Sequence, residues 1–236
     1  MTWRVPPFDR AFDELVTYVR ATYAPIGIVV AGSIVRGEAG PTSDLDVFVV
    51  HGEPWRLRDQ RRFAGVPAEL FVNPAAQVRR YFATEHARAR PCTAHMFATG
   101  ELVEPVDPAI VELVREARDW LARPVDRTEA ELEQLRYGAV DALDDARDTR
   151  DDATVRLLLG SVVQEIVAYA FISRRMFVPR RKDVVDKLAA IDADAAALVR
   201  QWAAEHDGLA IVEALAKRVL GVDTFFEWTS SREPVT

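Results

Sequence analysis

Asp44 and Asp46 flank a single leucine at the head of an apolar, β-branched run, and the pair Gly32-Ser33 closes the apolar run before it. Side chains alternate along a strand, so the two aspartates project to one face. Two carboxylates so close repel each other unless a cation sits between them. Hard oxygen ligands select magnesium. Two such ions, roughly 3.5–4 Å apart, would stabilise the attacking and leaving oxygens of an in-line displacement at a nucleotide α-phosphate. Gly32 lets the backbone approach a ligand closely, and the amides that follow, with the Ser33 hydroxyl, can donate to triphosphate oxygens. Ser33 is then a phosphate contact and not a nucleophile. A third metal-binding carboxylate is expected, and Glu69 stands alone in the apolar run 68–72. The alternative for Glu69 is an edge-strand charge facing solvent.

The elements that must position these residues are visible as patterns. Phe8, Phe12, Leu15, Val16, Val19 and Tyr23 recur at helical spacing, with Asp9 and Asp13 suited to the first turn. Residues 25–31 and 46–50 read as buried strands and 68–72 as a third, while the charged stretch 55–63 reads as helical. The expectation is an α/β domain, a mixed sheet flanked by helices, over residues 1–107. After Pro105 and Pro108 strand-like runs all but vanish, and helices are expected at 110–121, 129–147, about 155–170, 182–192, 193–206 and 209–220. Residues 108–236 should form an all-α helical bundle.

Composition narrows the partners. The 236 residues are 49% apolar and 28% charged, with a formal charge of −7 and a pI near 5.2. That field opposes an extended nucleic-acid footprint and favours small or protein substrates, so no nucleic-acid partner is expected. One cysteine allows no internal disulfide, and the four histidines lack zinc-ligand spacing. No apolar run of bilayer-spanning length and no signal-peptide core stand out, so a cytoplasmic protein without a membrane partner is expected. The oligomeric state is left open.

With Gly32, Ser33, Arg36, Gly37, Ser43, Asp44 and Asp46 in place, the chain resembles the DNA polymerase β superfamily of nucleotidyltransferases, which includes the kanamycin, streptomycin and lincosamide enzymes. The hallmark is Gly-Ser, a short spacer, then Asp-x-Asp. The resemblance implies magnesium-dependent transfer of a nucleoside monophosphate, usually AMP from ATP, to a hydroxyl of a small-molecule acceptor, an aminoglycoside-like compound among the candidates, with release of pyrophosphate. Gly32 and Ser33 would hold the triphosphate, and Asp44, Asp46 and Glu69 the metals. Arg36 would reach the outer phosphates or else pair with Glu38. In the antibiotic-modifying relatives a helical domain supplies a base and a phosphate-binding lysine. By analogy Lys182, in the basic stretch 174–182, would clamp the triphosphate, or belong to a solvated turn. Glu165 shares a helix face with Ser161 and Tyr169, and is either the base, with a carboxyl raised by burial, or a surface residue. Two further readings stand beside this one. The first is a protein-modifying transferase of toxin–antitoxin type, suggested by the helical half and the spacing of Arg200 and His206. The second is a binding module that keeps the fold without turnover.

Overall fold

Helix α1 (Phe8–Tyr23) leads into strand β1 (Gly27–Ala31), the single turn α2 (Gly32–Val35) and strand β2 (Leu45–His51). A hairpin of β3 (Leu57–Phe63) and β4 (Val66–Pro74) follows. Then come helices α3 (Ala75–Ala87) and α4 (Cys92–Thr99), the short strand β5 (Glu101–Leu102) and helix α5 (Pro108–Ala122). The computed structural model describes residues 3–103, 105–205 and 208–230. The strands form one mixed sheet in the order β3-β4-β2-β1-β5, with β2 and β4 parallel and the other pairs antiparallel.

Alternation along the strands gives the sheet two buried faces. Ile28, Val30, Leu45, Val47, Val49, Leu70 and Val72 pack with Phe12, Leu15, Val16 and Val19 of α1. Val29, Phe48 and Val50 point the other way, onto Val78 and Phe82 of α3, Phe97 of α4, and Ile110 and Leu113 of α5. Burial on both sides explains why β1 and β2 read as continuous apolar runs without visible alternation. Large side chains such as Phe48, Phe82 and Phe97 are fully buried, each contributing roughly 1.5–3 kcal/mol relative to exposure.

Residues 57–63 form an edge strand, not the expected helix. Ala64 and Gly65 both take positive φ, 44° and 86°, which makes a tight two-residue turn of the kind that joins twisted antiparallel strands. Pairing with β4 is a tertiary contact, and it overrides the helix-like charge pattern.

The chain divides into two compact units at Arg123 and Pro124, later than the expected boundary at 107 and 108. The reason is α5, whose Ile110, Leu113, Val114 and Ala117 complete the core beneath the sheet. Among the described residues the regular elements of the second unit are all helices: α6 (Glu129–Asp148), α7 (Asp152–Ile172), α8 (Val184–Ile191), α9 (Ala193–Ala204) and α10 (Leu209–Leu220). Thr128 and Glu131 cap α6 reciprocally, a pairing that satisfies two amides otherwise left open. Gly221, with φ 78°, ends α10.

Helix α7 corrects the expectation that no run is long enough to span a bilayer. Within its 21 residues an 18-residue stretch averages 1.6 in hydropathy, which meets that length and composition. In the fold Leu159, Val162, Val163, Ile166, Val167 and Ala170 are buried, and α7 packs against α6 and α10. His206, part of the Arg-His spacing noted above, lies outside the described residues.

Candidate active site

The strand register assembles the acids. Asp46 on β2 pairs with Ala31 of β1 on one side and with Glu69 of β4 on the other. Registered neighbours share a face, so Asp46 and Glu69 stand side by side, and Asp44, two residues earlier, joins them. Each offers a carboxylate oxygen, and the three oxygens lie within 4.8 Å of one another. All three residues are partly buried, at the edge of the face that α3, α4 and α5 cover.

Gly32 is required here for two reasons. Its φ is +89°, a conformation that disfavours any side chain, and a Cβ at this position would sit 2.2 Å from Asp46 Oδ2. The backbone bend and the Asp46 carboxylate oxygen therefore occupy adjoining space. Ser33 Oγ lies 2.9 Å from Ser43 Oγ, and Ser43 Oγ accepts from the Gly40 amide at 2.8 Å. The loop between α2 and β2 is thereby closed on itself, with Ser33 held in it. Of the two partners foreseen for Arg36, the structure shows Glu38, at 3.1 Å.

Burial first, then the charges of Asp44 and Glu69, push the Asp46 carboxyl up to about 6, against the opposing pull of Arg36 and Arg58. Three clustered oxygen donors whose mutual repulsion these arginines offset only in part are what a divalent hard cation relieves, and the donor set fits magnesium. Glu69 does not face open solvent: its side chain is only 14% exposed, and Arg58 Nε lies 2.5 Å from its Oε1. Gln60 Nε2 donates to the same oxygen at 2.9 Å. Arg58 and Gln60 were not foreseen. Their signal was the small turn at Ala64-Gly65, which turns the charged stretch into a strand beside Glu69.

The other expected site residues lie in the second unit. Glu165 on α7 is exposed, the surface placement of the two foreseen; it accepts from Ser161 Oγ at 3.2 Å, and partial desolvation raises its carboxyl despite that bond. Lys182 is exposed in the turn before α8. Much of the basic stretch around it is engaged within this unit: Arg175 pairs with Asp126, Arg180 with Asp183, and Arg174 with Asp192.

Residues 12–88, the segment holding Gly32, Ser33 and all three carboxylates, match the nucleotidyltransferase domain family. No curated protein matches the chain by sequence. Among solved structures, the chain is similar to a nucleotidyltransferase-like protein from Exiguobacterium sibiricum 255-15. The TM-score is 0.53 and the identity 12%, over 91% of this chain and 74% of that one. The likeness is one of fold, a nucleotidyltransferase sheet followed by helices. The domain match makes the chain a transferase, an enzyme whose domain implies a nucleoside triphosphate and a divalent metal.

Proposed function

We propose that the chain transfers a nucleoside monophosphate, AMP from ATP, to a hydroxyl of a small molecule, using two magnesium ions. The observation that carries this reading is the convergence of Asp44, Asp46 and Glu69 beside the Gly32-Ser33 bend. Asp44 and Asp46 would share both ions, and Glu69 would complete the site nearer the acceptor. When bound, the metals supply charge stabilisation for the attacking and leaving oxygens. Ser33, held by Ser43, would donate to the triphosphate together with the neighbouring backbone amides, placing the α-phosphate over the carboxylates. Arg36 would exchange Glu38 for an outer phosphate oxygen, since a guanidinium has donors for both. In the transfer the acceptor oxygen bonds to the α-phosphorus and the bond to the β-phosphate breaks. Pyrophosphate leaves with the electron pair, and the hydroxyl proton passes to solvent. The roles of Lys182 as phosphate clamp and Glu165 as base rest on the resemblance to the antibiotic-modifying relatives alone and carry none of these steps.

The test is incubation of the full chain with ATP labelled at the α-phosphate, magnesium and a panel of hydroxyl acceptors. Labelled product that disappears with EDTA is the expected result. Magnesium-independent labelling, or no labelling and no pyrophosphate with any acceptor, overturns the reading. Aminoglycosides and lincosamides belong in the panel because of the sequence resemblance.

A further inference from the structure

The surroundings of Glu69 are unusual for a chain of net charge −7. Edge strand β3 sets Gln60 opposite Glu69, Arg58 opposite Phe71 and Arg62 opposite Pro67. Residues two apart share a face, so Arg58, Gln60 and Arg62 stand in a row on the carboxylate face, on the side of Glu69 away from Asp46. Arg56, just ahead of the strand, donates to Tyr81 Oη of α3 at 2.7 Å and extends that row. The one acid on β3, Asp59, lies on the opposite face. It is held there by Arg61 at 2.7 Å and by the hydroxyls of Tyr23 and Tyr18 at 2.9 and 3.1 Å.

These arginines are not saturated. Arg58 meets Glu69 through Nε and lies over the Phe71 ring at 4.7 Å, yet its side chain is 63% exposed. Arg62 is exposed and gives one N–H to the Gly65 carbonyl at 3.0 Å. A guanidinium carries five N–H donors in a fork that matches phosphate. On this face of the described strands the acidic side chains are Asp46 and Glu69, joined by Asp44 just ahead of β2, and the metals would neutralise all three. The strand beyond them then presents only positive and neutral groups. A polycationic acceptor would be repelled at that position, and an anionic one drawn in.

We infer that the acceptor is a small hydroxyl compound that itself bears a phosphate group, and that Arg58 and Arg62 hold this phosphate beside Glu69. The inference rests on the transferase reading above and narrows its acceptor. Arg58 and Arg62 are specificity-determining residues in this view. The transferred group and the bonds made and broken are those already given.

The test uses the full chain, magnesium and α-labelled ATP with a low-molecular-mass cell extract. Half of the extract is first treated with immobilised phosphatase, which is then removed. Labelled product should form from the untreated half and not from the treated half. Arg62→Ala should raise KM for that acceptor at least about tenfold while kcat stays within about threefold, as expected for loss of a charge-assisted hydrogen bond; Arg58→Ala should raise KM as far and, because Arg58 also pairs with Glu69, lower kcat as well. Arg58→Lys should recover part of the loss, because it restores the charge without the fork. Equal labelling from both halves overturns the assignment. So does labelling of an added aminoglycoside, or of RNA in the high-mass fraction. Calorimetric binding of magnesium with a non-hydrolysable ATP analogue separates the two layers. If that binding is intact and no phosphorylated compound is labelled, the acceptor assignment fails alone. If it is absent, the transferase reading fails and takes the assignment with it.

Discussion

Two aspartates, one in each unit, carry opposite electrostatics. At Asp46 burial and two neighbouring carboxylates act together, and the carboxyl rises to about 6. At Asp192 burial also opposes ionisation, and the side chain is only 9% exposed. There, however, the Ala195 amide donates at 3.0 Å, Arg218 lies at 2.7 Å and Arg174 at 3.7 Å, and together they hold the carboxyl below its usual range. Asp192 is a charge the fold has already neutralised, as the cap of α9. Asp46 is a charge the fold has crowded with others of its own sign. The contrast shows how a buried acid that supports architecture differs from one that awaits a partner from outside.

The strongest way to break this comparison is chemical. Asp46→Asn should lower nucleotide transfer by at least about a thousandfold, because it removes a metal ligand, while circular dichroism of the metal-free variant stays that of the parent. Gross unfolding would mean that Asp46, like Asp192, is architectural.

Next in size is the dependence of stability on pH, which should run in opposite directions at the two centres. The folded Asp46 carboxyl keeps its proton up to about pH 6, whereas an unfolded aspartate loses it near 3.9. The folded state therefore binds more protons in between, and the EDTA-treated protein should lose stability as pH rises from about 4 to about 6. The loss is on the order of 3 kcal/mol at most. Asp192 contributes stability that is complete above the unfolded value and disappears as pH falls through its lowered one. Urea unfolding from pH 4 to 7 reads the first effect directly. It should vanish in Asp46→Asn and on saturation with magnesium; a parallel profile in the variant would refute the assignment.

Gly32→Ala sharpens the comparison by moving Asp46 without removing it. A methyl group in the place of Asp46 Oδ2, on a backbone with φ +89°, should cost about a hundredfold in kcat/KM and about 1 kcal/mol in stability from backbone strain. Steady-state kinetics and thermal melting separate the two. The smallest effect is expected from Asp192→Ala. It loses a helix cap and two guanidinium contacts, for about 2 kcal/mol of stability, with magnesium affinity of the folded protein unchanged. Altered magnesium affinity would show that the two centres are not independent.

The central acids were legible because their signal is local. Asp44, Asp46 and Glu69 interrupt apolar runs, and period two fixes which of them can share a face. Helices α1 and α10 were legible to the residue because their stripes are regular and end at Ala24 and Gly221. Strand β3 was not legible. It buries only Phe63 fully, so no alternation betrays it, and its pairing with β4 depends on chain that follows it. The place of α5 could not be read either: an amphipathic helix shows that it has a core to cover, without showing which one. Helix α7 failed as a membrane exclusion because a long core helix carries the same hydropathy as a spanning one.

The β3–β4 hairpin also bears on how such an enzyme can change what it acts upon. Strands β2 and β4 are paired independently of the turn at Ala64-Gly65, so an insertion there leaves the aspartates and the glutamate aligned. One added residue in that turn slides β3 by a single step and exchanges its two rows. Leu57, Asp59 and Arg61 would then border the reaction centre in place of Arg58, Gln60 and Arg62. A lineage could thus cancel the positive charge of that row in one genetic event, leaving its chemistry intact.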